Sequence, residues 1–402
     1  MGKEIELSTA ITDIAAGPFG SNLKVECFVP SGFPIIDGAN LKGYKVTDNI
    51  TKFVTEEKAR SLSRSIAHRG DVIVTISGTI GQIAYIPEDS LYDEYLCSQR
   101  QFRVSFDSSM VYVPYLVFYF HTFEGQNKIL SFANQTGVPA LSQPLKNFKK
   151  IRLCLPSLQE QRRIASIVET INDKIENNIK INDNLEQQAQ SYFQELFVDN
   201  ADPEWAIGTI SDLGTVVGGS TPSKAKPEYY TESGIAWITP KDLSNNKSKF
   251  VSHGENDITE LGLRNSSASI MPEGAVLFSS RAPIGYIAIA AGEVTTNQGF
   301  KSVVPKPEIG TPFVYFFLKN TLPVIEGMAS GSTFKEVSGS TMKNVPAVIP
   351  DAETLAKFSD FCAPIFAQQR ILEEQNQSLA TLRDNLLPKL MSGEIDVSAV
   401  QL

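Results

Sequence analysis

Apolar residues in the first part of the chain occur in short runs bounded by glycine, proline and polar residues. The runs at residues 72–76 and 83–86 are rich in β-branched side chains, which is typical of strands. The glycine-containing residues 77–81 between them predict a turn. Residues 113–120 form a wider apolar run with a proline near its start, which predicts a buried helix. We therefore predict a mixed, strand-rich domain over residues 1–156.

The pattern changes after Pro156 and again after Pro350, where apolar residues recur at alternating steps of three and four. This spacing is that of a heptad seam, here interrupted by Asn and Gln. The seam positions are Ile164, Ile167, Ile171, Asn178, Ile181, Leu185, Gln188 and Tyr192, and then Phe358, Phe361, Ile365, Gln368, Leu372, Gln375, Leu379, Leu382 and Leu386. We predict two long helices that pack on each other. The alternative is that each helix folds back on its own domain. Pro364 predicts a kink, or a helix that begins only after it.

Each half of the chain resembles the other at offsets of about 200 residues, a period too long for a solenoid. The segment at residues 32–41 returns at 234–243, and Lys146-Asn147 returns as Lys343-Asn344. Gln99 likewise corresponds to Gln298.

The repeat predicts an α+β fold with a pseudo-twofold axis. Two mixed, strand-rich domains are separated by two long helices that pack as an antiparallel coiled coil. The predicted boundaries are 1–156 and 201–350 for the domains, and 157–200 and 351–402 for the helices.

Charge is distributed unevenly over a chain whose net charge is −9. Residues 1–156 carry 16 basic and 15 acidic side chains, and residues 201–350 carry 12 and 14. Each helical segment carries 4 basic and 8 acidic side chains, so the helices hold most of the negative charge. Near-neutral domains can present a basic face to nucleic acid, whereas acidic helices are poor ligands for it.

No feature of the sequence indicates a membrane span, a signal peptide or a zinc site. Apolar runs of about 18 residues are absent, and the four cysteines are scattered without neighbouring histidines. We expect a cytoplasmic protein with reduced thiols and no bound metal.

The chain also lacks the common catalytic motifs. No nucleophile elbow, Walker loop or dinucleotide fingerprint occurs, and neither Asn-Pro-Pro, Asp-Pro-Pro nor Pro-Cys, the elements expected of a base methyltransferase, is present. The glycine-rich loops at residues 17–21 and 217–222 could hold a phosphate, although plain turns between strands explain them better. The sequence therefore does not predict an enzyme.

Polar and cationic residues on predicted loops are the candidate binding groups. Hydroxyl and guanidinium groups in strand-loop settings suit contacts to base edges and phosphates. The candidates are Lys24, Ser77, Thr79, Arg100 and Arg103 in the first domain and Lys241, Ser280, Arg281 and Lys301 in the second.

The whole chain resembles the specificity subunits of type I restriction–modification systems. Pro156 followed by Glu160-Gln161 is similar to this family's entry into its first helix, and residues 386–395 are similar to the end of its second helix. Residues 17–24 and Thr221-Pro222 resemble common openings of its recognition domains. The second copy departs from the pattern, because the segment after Pro350 lacks the Glu-Gln pair.

The resemblance implies a non-catalytic subunit that recognises a bipartite, asymmetric DNA sequence, with one half-site for each domain. The helices would set the spacing and dock two methyltransferase subunits. Those partners would bind S-adenosylmethionine and methylate adenine at N6, while separate restriction subunits would cleave DNA. The candidate docking residues are Gln161, Arg162, Ile171, Leu185, Leu372, Leu379 and Leu386.

Two other functions are compatible with parts of the pattern. A coiled-coil scaffold or adaptor that binds protein or glycan would share the helices but would show no salt-sensitive affinity for DNA. A self-contained methyltransferase or nuclease would need a cofactor or metal site for which the sequence offers no motif.

Overall fold

The computed structural model of the chain describes residues 2–134, 137–331 and 335–400. The chain divides into two compact units, of which the first comprises Met1–Lys174 with Leu379–Leu402 and the second Ile175–Ser378. Each long helix therefore contributes one part to each unit.

Within the described residues, the first unit contains two main sheets and four short α-helices besides its share of the long helices. Its strands are β1 (Lys3–Glu6), β2 (Ile11–Ala16), β3 (Phe28–Val29), β4 (Phe33–Ile36), β5 (Phe53–Val54), β6 (Ile66–His68), β7 (Val72–Thr75), β8 (Ile83–Tyr85), β9 (Glu94–Cys97), β10 (Gln101–Phe106), β11 (Ala133–Asn134), β12 (Ala140–Leu141) and β13 (Arg152–Leu155). Its helices are α1 (Glu56–Ser61), α2 (Val113–His121), α3 (Phe123–Leu130), α4 (Pro144–Lys149) and the first part of α5 (Leu158–Gln194). One sheet has the order β2-β10-β7-β8 and the other β3-β5-β4-β9-β6. The pairs β1-β13 and β11-β12 stand apart.

The second unit repeats this plan with shorter accessory strands. Its strands are β14 (Ala206–Thr209), β15 (Gly214–Gly218), β16 (Tyr230–Thr231), β17 (Trp237–Ile238), β18 (Phe250–Val251), β19 (Asp257–Ile258), β20 (Val276–Ser280), β21 (Ile284–Ala290), β22 (Thr295–Thr296), β23 (Lys301–Pro305) and β24 (Pro346–Ile349). Its helices are α6 (Ile210–Leu213), α7 (Pro240–Asn245), α8 (Glu260–Arg264), α9 (Thr311–Gly327), α10 (Gly339–Lys343) and the first part of α11 (Ala352–Ser392). The main sheet has the order β15-β23-β20-β21-β18. Its first four strands match β2-β10-β7-β8, so the predicted repeat is present in the sheet topology.

The local predictions for the first domain are confirmed. The apolar runs form β7 and β8, a turn joins them, and α2 covers the predicted buried helix. Within α2, the residues from Pro114 to Phe120 are all buried. They pack against Val72 and Val74 of the sheet in one hydrophobic core. A helix that is apolar on every side is satisfied only in such a position.

Both long helices form as predicted, and they begin with side-chain caps. The hydroxyl of Ser157 accepts a hydrogen bond from the N–H of Glu160, and the carboxylate of Asp351 accepts one from the N–H of Thr354. Helix α11 continues through Pro364 and ends before Gly393, whose φ of +77° favours glycine. The predicted alternative in which the helix begins only after Pro364 is therefore wrong.

The helices run antiparallel within the second unit. Asn178 contacts Gln375 and Asn376, while Tyr192, farther along α5, packs on Phe361, which lies earlier in α11. The predicted pairing of the helices is confirmed.

Some residues of the predicted heptad seam are not buried between the two helices. Ile181 and Leu382 are nearly half exposed, because each helix also uses part of its apolar surface against a domain. In the first unit, Ile164 and Val168 of α5 and Leu390 of α11 share the core that α2 covers. Each long helix therefore packs on a domain as well as on the other helix. The predicted pairing and its alternative each describe part of the observed contacts.

Gln161 fixes the start of α5 to the first domain. It is fully buried, its Oε1 accepts from the N–H of Tyr112 at 2.8 Å, and its Nε2 donates to the carbonyls of Met110 at 2.9 Å and Pro156 at 3.0 Å. Gln161, the second residue of the Glu160-Gln161 pair, thus has a structural role.

Substituting Gln161→Ala leaves these backbone groups without their partner. We expect the free energy of unfolding to fall by about 1–3 kcal/mol, the usual cost of unsatisfied buried groups. Denaturant unfolding followed by circular dichroism measures the change. Gln187→Ala, at an exposed position of α5, is the control and should stay within about 0.5 kcal/mol of the wild type. Equal effects of both substitutions would contradict this role.

His121 is half-buried at the end of α2, where its Nε2 lies 2.8 Å from the carbonyl of Ile83. Burial lowers the pKa of His121 below 6.5, and the charge of Arg383 lowers this pKa further, against the bond to Ile83. The folded state thus favours the neutral imidazole. Stability from this group is present above pH 6.5 and is lost as the pH falls through the folded-state pKa.

His121→Gln removes this titration but keeps a hydrogen-bond donor. We expect the unfolding midpoint of the wild type to fall more steeply than that of the variant between pH 6.5 and 5, because only the wild type gains a buried charge. Thermal unfolding across this range measures the difference, with pH 8 as the internal reference. Parallel curves for the two proteins would contradict the assignment.

Candidate nucleic-acid interface

A polar groove of about 650 Å³ opens at one edge of the first domain. The turn after β7, the turn before β10 and the loop after β4 converge there. Short polar and charged side chains line it, with apolar residues at one side. The polar lining comprises Asp37, Lys52, Thr75, Ser77, Thr79, Gln82, Ser98, Gln99, Arg100 and Gln101.

Backbone hydrogen bonds hold the turn after β7 in place. The N–H of Ile76 donates to the carbonyl of Arg100 at 2.6 Å, and that of Gly78 donates to the carbonyl of Pro139 at 2.9 Å. The side chain of Gln82 bridges the floor, since it accepts from the hydroxyl of Thr75 and donates to the carbonyl of Gly38, both at 3.2 Å. A groove built this way presents its side chains in fixed directions.

An ion pair adds to the groove's charge pattern. Lys52 lies 2.6 Å from Asp37, whose other oxygen accepts from the N–H of Ala39. Burial opposes ionisation of Asp37, but the hydrogen bonds from Lys52 and Ala39 outweigh it and hold the pKa of this carboxyl below its usual value. The groove therefore offers both a carboxylate acceptor and cationic donors.

The structure brings three of the predicted first-domain residues together. Ser77, Thr79 and Arg100 all line the groove, and Thr79 and Arg100 are exposed. Lys24 is exposed between Leu23 and Val25, which also line the groove. These four residues lie in or beside the groove, and their role in binding stays a prediction.

Arg103 requires a correction, because it is buried in the sheet. Its guanidinium lies 2.6 Å from Asp13, donates to the carbonyl of Arg64 at 3.2 Å, and lies 3.9 Å from Asp71. Its neighbours Phe102 and Val104 face the hydrophobic core, so Arg103 lies on the opposite face of β10, where Asp13, Asp71 and the backbone of Arg64 cover it. Arg103 is a structural residue here.

The second domain places Arg281 and Lys301 beside one carboxylate. Glu336 lies 3.5 Å from the guanidinium of Arg281 and 4.0 Å from the ammonium of Lys301. Its backbone is paired with Ser330 in both directions, which fixes the carboxylate near the turn after β20. Burial lowers the pKa of Lys301, although Glu336 opposes this shift. Both predicted cations are thus partly neutralised by a residue that the sequence did not single out.

The other two predicted residues of the second domain, Ser280 and Lys241, have different outcomes. Ser280 is fully buried, and its hydroxyl donates to the carbonyl of Gly299 at 3.1 Å, so its predicted contact with DNA is corrected to a structural role. Lys241 is exposed and lies 2.6 Å from Glu255, which raises the pKa of Lys241. Lys241 remains accessible as an exposed ion pair.

One glutamine in each domain ties the opening loop to the sheet. Gln99 donates to the carbonyls of Gly20 and Leu23, and Gln298 accepts from the hydroxyl of Thr221. The repeat pairs these two glutamines, which is the signal that could have identified them. No such signal existed for Glu336, because only the folded chain brings it to Arg281.

The predicted docking residues lie mainly inside the units. Gln161, Ile171 and Leu372 are buried, so for them an outward docking role is corrected to internal packing. Leu185, Leu379 and Leu386 are half-buried. Arg162 is exposed and stacks on the ring of Tyr112 at 4.7 Å, so it remains available to a partner.

Among residues 2–134, 137–331 and 335–400, His, Cys, Asp and Glu form no cluster suited to a metal ion. Over the same ranges, no helix has the length and apolar character needed to cross a membrane.

Known proteins resemble this chain in sequence over both halves. The family model for the type I restriction modification DNA specificity domain matches residues 29–187 and again residues 203–382. The type I restriction enzyme MjaIX specificity subunit of Methanocaldococcus jannaschii is 38% identical over 194 residues, which is 46% of this chain and 45% of that subunit. The HindI specificity subunit of Haemophilus influenzae is 22% identical over 392 residues, covering 78% of this chain and 84% of that one.

A solved structure shares the fold. The S subunit of a type I restriction–modification system from M. genitalium aligns with a TM-score of 0.60 at 15% sequence identity, over 97% of this chain and 96% of that one. Together with the family match over both repeats, this fold places the chain in the family of type I restriction–modification specificity subunits.

Proposed function

We propose that this chain recognises a bipartite DNA sequence, with each domain contacting one half-site. The observation that carries the proposal is the repetition of one arrangement. In both domains, the turn after a central strand of the main sheet brings a polar or cationic side chain to the same edge, beside a second loop. Ser77 and Arg281 occupy these turns, and each forms a backbone bridge to the neighbouring loop. The match of the family model to both halves supports the same division.

Catalysis would come from partner subunits. We propose that the chain directs methyltransferase subunits, which carry S-adenosylmethionine and methylate adenine at N6, and restriction subunits that cleave DNA. The proposal rests on family membership and on the acidic long helices, whose charge suits protein contacts better than DNA contacts. Arg162, exposed at the start of α5, is one candidate contact. Function on DNA implies a cytoplasmic location.

The adaptor alternative finds no support in the comparisons, since the relatives named above are specificity subunits. A salt titration separates the two functions directly. Contacts to phosphates release counterions and make affinity fall steeply with salt, whereas an adaptor shows no DNA affinity to lose.

Arg100→Ala tests the groove of the first domain. We expect DNA affinity of the complex with its methyltransferase to fall by about 1–3 kcal/mol if Arg100 contacts a base. Mapping of methylated adenines should then show relaxed specificity in one half of the target only. Lys150→Ala removes an equal charge from an exposed position outside the groove lining and serves as the control. Unchanged affinity and unchanged methylation for Arg100→Ala would contradict its place in the interface.

Glu336→Gln tests the second domain and should strengthen DNA binding, whereas Arg100→Ala should weaken it. Removal of the carboxylate frees Arg281 and Lys301 for phosphates, so we expect tighter binding to nonspecific DNA. The slope of log affinity against log salt should steepen by about 1–2. Fluorescence anisotropy at several salt concentrations measures both quantities.

The matched control for this variant is Glu260→Gln, which breaks an exposed pair with Arg264 elsewhere in the domain. Weaker binding by Glu336→Gln, or equal effects of the two variants, would show that Glu336 does not restrain the cations of the interface.

A further inference from the structure

In each recognition domain, the loop residue that contacts the long helices is held against the main sheet at an equivalent position. The N–H of Tyr85 donates to the carbonyl of Tyr44, and the N–H of Ile289 donates to the carbonyl of Lys249. Tyr85 pairs with Val72 at the start of β7, as Ile289 pairs with Val276 at the start of β20. Tyr44 and Lys249 are therefore counterparts in the repeat.

The helix residues near Tyr44 and Lys249 also occupy equivalent positions, counted from the first residue of α5 or α11. Asn172 is the fifteenth residue of α5, and Phe366 is the fifteenth of α11. Ala189 and Arg383 are each the thirty-second residue of their helix. Within each unit, one helix supplies the fifteenth position and the other helix supplies the thirty-second.

The first of these contacts, which we call joint one, has its aromatic ring on the domain and its cation on the helix. The guanidinium of Arg383 lies 5.4 Å from the ring centre of Tyr44 and donates to Asn172 at 3.1 Å. The ring of Tyr44 packs on Phe118 and on the half-buried His121. The neutral imidazole avoids a second positive charge beside Arg383.

The corresponding contact in the second unit, joint two, has the reverse polarity. The ammonium of Lys249 lies 3.5 Å above the ring centre of Phe366 and 2.7 Å from Glu186 of α5. Lys319, the counterpart of His121 in the repeat, also pairs with Glu186. Lys249 is 7% exposed, and burial lowers its pKa to about 8, against the attraction of Glu186.

The helix pair carries a further asymmetric contact near joint two. The amide of Asn178 is fully buried and donates to the side-chain oxygens of Gln375 and Asn376, both at 2.8 Å. Gln375 is the twenty-fourth residue of α11, and its counterpart in α5 is Ile181. A buried polar residue on a helix seam selects its partner, because a wrong partner leaves it unsatisfied.

We propose that the two joints select the pairing of α5 with α11 of the same chain over the self-pairings, α5 with α5 and α11 with α11, between two copies. The internal repeat makes such self-pairing possible, because α5 and α11 share one design. The first part of either helix could therefore pack on the second part of the same helix from another copy. Exchange of equivalent elements between copies is a common route to dimers.

Pairing of α11 with α11 would disrupt joint two. Lys249 would still contact Phe366 of its own chain, but the second copy would supply Ala380 in place of Glu186, since each is the twenty-ninth residue of its helix. It would also supply Arg383 in place of Ala189. Two lysines and an arginine would then lie together without Glu186, which is strongly unfavourable. Glu373, which accepts from the backbone N–H groups of Lys249 and Phe250, would not balance three cations.

Pairing of α5 with α5 would disrupt joint one and the helix seam. Tyr44 would lose Arg383, and Glu186 of the second copy would be brought to the aromatic ring without its lysines. Asn178 would face Ile181 instead of Gln375. Both self-pairings therefore leave buried polar groups without partners that the native pairing provides, namely Glu186 for Lys249 and the side-chain oxygens of Gln375 and Asn376 for the Nδ2 of Asn178.

A four-residue exchange within the full-length chain tests the proposal. The variant Glu186→Ala, Ala189→Arg, Ala380→Glu and Arg383→Ala exchanges the helix sides of the two joints and leaves composition and net charge unchanged. Self-pairing now restores both joints, whereas intrachain pairing violates both. By light scattering at micromolar concentration, we expect the wild type to have the mass of one chain and the variant that of two.

The control exchanges charges at another equivalent pair of helix positions. Lys180→Glu with Glu374→Lys alters exposed residues and should leave one chain per particle. A four-residue variant that stays monomeric with an unchanged melting temperature would overturn the proposal. These outcomes are independent of DNA recognition, because the chain is measured alone.

A second comparison applies if the four-residue variant is insoluble. Glu186→Ala with Ala189→Arg should lower the melting temperature of the full chain by several degrees, because it places an arginine beside two lysines. Adding Lys249→Tyr and Lys319→His rebuilds the chemistry of joint one on that domain and should restore most of the loss. No loss in the first variant, or no recovery in the second, would also overturn the proposal.

Discussion

The antiparallel packing of segments from the two long helices is the constraint on which the structure depends. The first unit combines two separate stretches of sequence, whereas the second is one continuous segment that includes the end of α5 and the start of α11. The first unit needs the end of α11, and the second needs the end of α5, to complete its hydrophobic core. The pairing thus assembles the domains as well as joining them. Because it is made from heptad positions with buried amides, its register is specified more tightly than apolar packing alone would achieve.

The two halves share a plan but differ in charge. In the first domain, Arg100 reaches the groove as an exposed cation, whereas in the second domain Glu336 lies beside both Arg281 and Lys301. The joints are reversed in polarity as well. Such differences suit a target whose halves are unlike, and they also distinguish each half of the chain from a second copy of the other.

Periodicity predicted most of the fold. Strands β7 and β8, helix α2 and both long helices follow from local patterns, because apolar spacing and capping residues act over a few positions. The continuity of α11 through Pro364 did not follow, since packing along the helix outweighs the loss of one backbone hydrogen bond.

The candidate site was predicted less completely. Residue type identified Ser77, Thr79 and Arg100, but it could not show that Arg103 faces inward on β10 or that Ser280 is buried. Residues 101–104 and 276–280 are all buried, so both faces of these strands are covered by other elements, and residue type alone does not show this. Glu336 was missed because it meets Arg281 only through tertiary structure.

Exchange of residues 1–156 for the corresponding domain of another specificity subunit tests the central claim most directly. The chimeric chain is expressed with its methyltransferase, and methylated adenines are mapped across the host genome. If each domain is held separately by its own pair of helix segments and recognises its own half-site, one half of the methylated sequence changes while the other half and the spacing remain. A change in both halves, or in neither, would contradict the account.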